Sequence, residues 1–157
     1  MSLDARLLEN LANWRPDSGR QTLEVSDAKG DWRVAVTADC VDVVGCRLWE
    51  VSLLRCAEAP AIDLKDRAEE ICARVTGLLE PLRVVEVDGE QHLALLRSEQ
   101  PGQVGEDRFY YEVRLDGQGG CVVRRYQTPH ATEPRRQQVT FTLTHEALAK
   151  LVRDLAQ

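Results

Sequence analysis

RFYYEVRLDGQGGCVVRRYQ, residues 108–127, is the stretch that decides the fold. Apolar and aromatic residues occupy the odd positions from 109 to 115, and mostly charged residues occupy the even ones. This alternation predicts a β-strand with one buried face, because successive side chains of a strand point to opposite sides. The glycine-rich turn at 116–120 then leads into a second apolar run, so the stretch predicts an antiparallel hairpin.

The rest of the chain repeats this pattern around three helical segments. Residues 2–14, 63–80 and a segment after Thr144 have apolar residues at helical spacing. Short turns separate the strand patterns, and short turns favour antiparallel neighbours. We therefore predict an α+β fold with a mainly antiparallel, twisted sheet of about seven to eight strands. The three helices, N-terminal, central and C-terminal, are expected on one face of that sheet.

The length of 157 residues predicts a single α+β domain spanning 1–157. Each half of the chain ends in a helix, and the two halves share the short motifs WEV at 49–51 and YEV at 111–113. This similarity suggests a weak internal duplication of residues 1–80 and 81–157.

Composition restricts the classes of partner. The net charge of −6 and the few aromatic residues (three Trp, three Tyr and two Phe) disfavour nucleic-acid binding. No apolar run approaches the roughly twenty residues that a membrane span needs. The N-terminus also lacks a signal-peptide pattern, so we expect a cytoplasmic protein that does not bind membranes.

Signatures of catalysis, metal binding and cofactor binding are missing from the sequence. The five cysteines have irregular spacings without C-x-x-C, which predicts free thiols in a reducing compartment. His145-Glu146 is typical of the start of a zinc-protease motif, but Ala149 stands where the second histidine belongs. Phosphate-binding glycine loops do not occur either. We therefore expect no metal and no cofactor, and a non-enzymatic role is favoured.

The segment RRYQTPHATEPRRQQ at 124–138 is the best local candidate for binding a small anion. Its candidate residues are Arg124, Arg125, His130, Arg135 and Arg136. Two arginines and a histidine can grip a carboxylate or a phosphate. Alternation along the flanking strands sends the two arginines of each pair to opposite faces, so at most one arginine of each pair can share a site. The alternative is a solvated crossing whose cations pair with nearby carboxylates.

The face of the sheet away from the helices is the candidate protein interface. Arginine and glutamate alternate there on neighbouring strands, which is also typical of a solvated, salt-bridged surface. Its candidate contact residues are Leu48, Leu54 and Tyr110, which give this face an apolar component. Tyr and Arg are also enriched in protein interfaces.

Two functional hypotheses remain open at this stage. The favoured one is an adaptor or chaperone-like module that binds a partner protein or itself, as a homodimer. The order of elements is similar to that of small acidic secretion chaperones, which are α/β dimers, although the second half here has more strands and no residue motif is shared. The alternative is a protein or enzyme that binds a small anion through the loop at 124–136.

Overall fold

One antiparallel sheet carries three helices on one of its faces. The structure is a computed structural model that describes residues 1–58, 62–129 and 134–157. Within these ranges the elements are α1 (Leu3–Leu11), β1 (Gln21–Ser26), β2 (Trp32–Val41), β3 (Gly45–Arg55), α2 (Leu64–Arg74), β4 (Leu82–Asp88), β5 (Leu93–Ser98), β6 (Gly102–Val104), β7 (Asp107–Asp116), β8 (Cys121–Gln127), β9 (Gln137–Val139), β10 (Phe141–Thr144) and α3 (His145–Leu155).

The strand order is β1-β2-β3-β8-β7-β5-β4, with the β7–β8 hairpin near its centre. The three other strands are short: β6 pairs with β7, β9 with β8, and β10 with β3. All pairs are antiparallel. The predicted α+β class, the antiparallel sheet and the three helices are confirmed. The short strands raise the number above the expected seven to eight.

All three helices bury one apolar stripe each, and two of them, α2 and α3, begin at a capping side chain. Asp63 accepts a hydrogen bond from the Asp66 amide at 3.0 Å, and Thr144 accepts one from the Ala147 amide at 3.0 Å. Such caps satisfy amides that the first helical turn leaves without partners. Packed against the sheet, the helices complete one cluster of buried residues whose fully buried members include Leu7, Leu11, Ile71, Leu148, Leu151 and Leu155.

A β-bulge in β3 reverses the direction of its first side chains. Leu48 pairs with Ala38 and Glu50 with Thr37, so Trp49 is an extra residue on its strand. Such an insertion shifts the alternation by one position. Leu48 consequently lies in the core with no exposed surface. Its predicted place on the outer face, as an interface residue, was therefore wrong.

The sheet opens between β3 and β8, and the segment after the arginine loop fills the opening. β3 pairs with β8 over residues 51–53, β9 then continues along β8, and β10 continues along β3. Phe141 of β10 contacts the Tyr111 ring edge-on, with ring centroids 5.4 Å apart. This arrangement brings Arg136, which immediately precedes β9, to the helix-free face.

None of the helices in the described ranges is long and apolar enough to cross a membrane. Duplication of residues 1–80 and 81–157 remains a prediction. So does their assignment to a single domain.

Gly45→Ala tests the close contact between β3 and β10. A Cβ at this position would lie 2.7 Å from the Leu143 carbonyl oxygen, which belongs to backbone that cannot move away freely. We expect urea denaturation to show a loss of about 1–3 kcal/mol in the free energy of unfolding, as for other overpacked sites. The control is Gly89→Ala, which meets open space and should change stability by less than about 0.5 kcal/mol. Equal stability of the two variants would contradict the contact.

Two buried thiols give a prediction for alkaline pH. Burial raises the pKa of Cys46 to about 11 and that of Cys121 to about 12, from an ordinary value of 9.0. Between pH 9 and 11 the unfolded chain releases these protons while the folded chain retains them, so stability should fall as pH rises. The measurement is urea denaturation at pH 8, 9 and 10 under reducing conditions. The Cys46→Ala/Cys121→Ala variant should lose less stability over this range; an equal loss would contradict the assignment.

Candidate functional site

The helix-free side of β5, β7 and β8, here called the outer face, holds most of the chemically notable side chains. Alternation and register bring together nine residues: Leu93, Leu95 and Arg97 of β5; Tyr110, Glu112 and Arg114 of β7; and Val122, Arg124 and Tyr126 of β8. Three of the nine are arginines and two are tyrosines. Arginine and tyrosine are two of the residue types that are enriched in protein interfaces.

Glu112 is the anchor of the outer face. Its carboxylate accepts a hydrogen bond from Arg97 Nε at 3.1 Å and another from Arg136 Nη1 at 2.5 Å. The side chain is only 3% exposed although no helix covers it, because the arginine side chains lie over it. A buried carboxylate with two charge-assisted hydrogen bonds holds both guanidinium groups in fixed positions.

The two tyrosines of the outer face are covered by arginine side chains. The Tyr110 and Tyr126 ring centroids lie 5.9 Å apart. Arg136 lies 3.9 Å from the Tyr126 centroid and Arg97 lies 5.3 Å from that of Tyr110. Both tyrosines are buried, so neither ring offers a free face on which a nucleic-acid base could stack.

Arg124 and Arg136 are both tied to partners on the outer face. Arg124 donates to Glu50 at 3.4 Å and to the Tyr126 hydroxyl at 3.4 Å. Partial burial acts to lower the pKa of Arg136, but its bonds to Glu112 and Tyr110 outweigh that effect and hold the pKa above its usual value. Both side chains nonetheless keep about a third of their surface exposed, at 36% each.

Arg114 is different, because no ion pair within the described residues holds it, although Glu112 and Asp116 flank it on the same face of β7. It lies between Leu95 of β5 and Val122 of β8, its cross-strand neighbours. It is exposed, and no hydrogen bond or ion pair joins it to any other residue of the described ranges. An arginine between apolar neighbours can accept a carboxylate without giving up an existing bond.

Two depressions of the outer face meet at Arg114 and Leu93. The larger, here called the Leu54 cavity, has a volume of about 440 Å³, and its lining includes Leu54, Leu93, Arg114, Asp116, Val122 and Arg124. The smaller has about 220 Å³, and its lining includes Glu86, Asp88, Arg97, Glu112, Arg114 and Arg136. Together they form a groove with an arginine-rich centre and carboxylates along its border.

The structure separates the five residues predicted to bind an anion. Arg124 and Arg136 reach the outer face, where both contact Tyr126. Arg125 points to the opposite face, as strand alternation predicts. Arg135 is exposed, and His130 lies outside the described residues. One arginine of each pair therefore shares the outer face, and anion binding by any of them remains a prediction.

Arg125 is neutralised on the inner side of the sheet. Its Nη1 donates to Glu80 at 2.8 Å, and its guanidinium carbon lies 4.2 Å from the Tyr111 ring centroid. Ser98 also donates to Glu80, at 3.2 Å. Burial raises the pKa of Tyr111, against the opposing effect of Arg125. With this carboxylate beside it, Arg125 adds no net charge to an anion site.

The two remaining interface candidates, Leu54 and Tyr110, differ in how accessible their side chains are. Leu54 is half exposed and lines the larger cavity, whereas Tyr110 lies on the outer face beneath Arg97. The sequence predicted a salt-bridged surface for the charged residues of this face, to which Arg114 belongs, and it did not identify Arg97. The alternation at 108–116 indicates the face of Arg114, but only the register with β5 shows that its neighbour is Leu95 and not an acid.

Comparisons with known proteins add no further constraint. No protein-family model matches the chain, and neither a curated protein nor a solved structure matches it. Among the described residues, no group of three or more His, Cys, Asp or Glu side chains could hold a metal ion. The function is therefore inferred from the outer face itself.

Glu112→Gln tests the anchor of the outer face. The amide keeps the volume but loses the charge that holds Arg97 and Arg136, so the free energy of unfolding should fall by about 1.5–3 kcal/mol. Arg114→Gln is the matched control on the same strand; its side chain has no partner to lose, and its effect should stay within about 0.5 kcal/mol. Urea denaturation measures both. A Glu112→Gln variant as stable as the Arg114→Gln variant would show that the carboxylate is not an anchor.

Proposed function

We propose that the protein is a non-enzymatic protein-binding module whose outer face binds a short acidic segment of a partner protein. The observation that carries the proposal is Arg114, an arginine without a partner among the described residues, at the junction of two depressions. An arginine that stabilises no contact within its own chain is available for a carboxylate of another. Arginine is also among the residues that contribute most to protein interfaces.

The charges of the outer face support an acidic partner. The arginines Arg97, Arg114, Arg124 and Arg136 lie together at its centre, where Glu50 and Glu112 pair with three of them, while Glu86, Asp88 and Asp116 line the border. The positive charge is therefore local to the centre and is not a net charge of the whole face. The whole chain has a net charge of −6. Complementary charges favour correct encounter and exclude wrong partners.

The border of the groove limits how acidic the partner can be. Glu86 and Asp88 line the smaller depression, and Asp116 lines the Leu54 cavity. A long polyanion, such as a nucleic acid, would meet these carboxylates as well as the arginines. A segment with one or a few acidic residues would meet the arginines alone, which favours a protein segment as the partner.

Two arginines beside Arg114 are held in place before a partner arrives. Glu112 fixes Arg97 and Arg136, and the rings of Tyr110 and Tyr126 support the same two side chains. Side chains that are already ordered lose less conformational entropy on binding. This arrangement favours a binding surface over a face that is merely solvated.

A symmetric dimer through the outer face is less favourable than a different partner. A twofold interface places the same patch on both subunits, so the arginine-rich centre of one subunit would face the arginine-rich centre of the other. A homodimer through another surface remains a prediction, as does a cytoplasmic location. The anion-binding alternative is weakened, because one of its candidate residues, Arg125, already forms an ion pair with Glu80.

The test uses a fluorescein-labelled peptide of four Gly-Ser-Leu-Glu repeats, with binding followed by fluorescence anisotropy. We expect binding that weakens with salt and that falls at least about tenfold, or about 1.4 kcal/mol, in Arg114→Glu. Lys65→Glu makes the same charge change at an exposed position of α2, on the other side of the sheet, and should bind as the unmodified protein does.

Three outcomes would overturn the proposal. One is equal binding of a neutral peptide of four Gly-Ser-Leu-Gln repeats. Another is equal loss of binding in the Lys65→Glu variant, which would indicate a response to net charge only. The third is tighter binding of inorganic phosphate or of a single-stranded oligonucleotide, also abolished by Arg114→Glu, which would assign the surface to small anions or to nucleic acid.

A further inference from the structure

The two depressions of the outer face are chemically different, and the difference indicates what the partner segment contains. Resting on the proposed function, we infer that the Leu54 cavity binds a large apolar side chain that stands next to an acidic residue, while Arg114 binds the carboxylate of that residue. The partner is thus recognised through an apolar–acidic pair and not through negative charge alone.

The Leu54 cavity has the size and lining for an apolar side chain. Its volume of about 440 Å³ falls within the roughly 300–1,000 Å³ typical of binding pockets. Leu54, Leu93 and Val122 form its apolar lining. Leu54 is 50% exposed, so a side chain bound there would remove apolar surface of this chain from water as well as its own.

The arginines that line the Leu54 cavity provide the site for the carboxylate of the partner segment. Arg114 and Arg124 both line it, but Arg124 is already bonded to Glu50 and Tyr126. Arg114 therefore provides the free guanidinium, which can bind a carboxylate through two parallel hydrogen bonds.

Asp116, also in the lining, limits the site to one acid. Its Oδ1 accepts from the Gln118 and Gly120 amides at 2.8 and 3.0 Å, so the turn keeps this carboxylate in place. A second acidic side chain in the cavity would be repelled by it. The cavity therefore favours one carboxylate beside one apolar group.

The smaller depression is a poor site for the same pair. Two of its arginines are bonded to Glu112, which already occupies the position of an incoming carboxylate. Glu86 and Asp88 lie on its other side. Acidic residues of the partner are thus directed away from this depression and toward Arg114.

The test first removes the large apolar side chains from the peptide and then fills the Leu54 cavity of the protein. A peptide of four Gly-Ser-Ala-Glu repeats has the same charge as the Gly-Ser-Leu-Glu peptide but lacks the large side chains. We expect it to bind about tenfold more weakly, as for the loss of a buried anchor residue. On the protein, Ser52→Phe adds bulk to the lining of the cavity without changing a charge. It should reduce binding of the leucine peptide to the level of the alanine peptide.

The change of leucine to alanine in the peptide and the Ser52→Phe substitution in the protein form a double-mutant cycle. This cycle isolates the contact between the leucine side chain and the Leu54 cavity. Ser52→Phe should leave the weak binding of the alanine peptide unchanged, and Leu54→Ser should act in the same direction as Ser52→Phe. Urea denaturation confirms that each variant is folded. Equal binding of the leucine and alanine peptides to the unmodified protein would show that the Leu54 cavity does not bind an apolar side chain. An equal loss of binding of both peptides in Ser52→Phe would show the same. Either result would leave the proposed function standing. Absence of any binding of the leucine peptide would overturn both.

Discussion

The register of the β7–β8 hairpin is the constraint on which both sides of the sheet depend. Val113 pairs with Val123 and places apolar groups under the helices, while Glu112 pairs with Arg124 on the outer face. A shift by one residue would exchange the two faces and bury the charged set. The same register sets Arg114 opposite Val122, so the arginine without a carboxylate partner is a consequence of the pairing that builds the core.

Local pattern was sufficient for the fold class but not for every side-chain direction. Strict alternation in β7 lies within a single element, so it could be read without knowing any partner. The same holds for the existence of α2, but the apolar spacing over 63–80 extended this helix beyond its end at Arg74. Leu48 could not be placed in this way, because the bulge at Trp49 arises from how β3 pairs with β2. The short strands β9 and β10 also escape local reasoning, since each pairs with a different strand across an opening in the sheet.

The candidate site shows the same division between local and long-range information. Adjacent arginines on a strand must point to opposite faces, and this rule separated Arg124 from Arg125 correctly. Their partners, Glu50 and Glu80, lie 74 and 45 residues away along the chain. No local pattern indicates which carboxylate neutralises which arginine. For this reason the sequence indicated the arginine cluster at 124–136 as the candidate site, whereas Arg114 was one of the charged residues of a predicted salt-bridged face.

Folding and binding use different residues of the outer face. Glu112 is buried and satisfied by two arginines, so it contributes to stability and restricts the motion of its partners. The guanidinium of Arg114 makes no hydrogen bond or ion pair within the described residues, and only its aliphatic stem can cover the apolar surface of Leu95 and Val122. Hydrogen bonds within the described fold therefore do not account for the charge at this position, and the proposed function assigns it to a partner's carboxylate. Because this guanidinium has no hydrogen-bond partner among the described residues, its removal, as in Arg114→Gln, breaks none of the bonds that join Glu112 to Arg97 and Arg136.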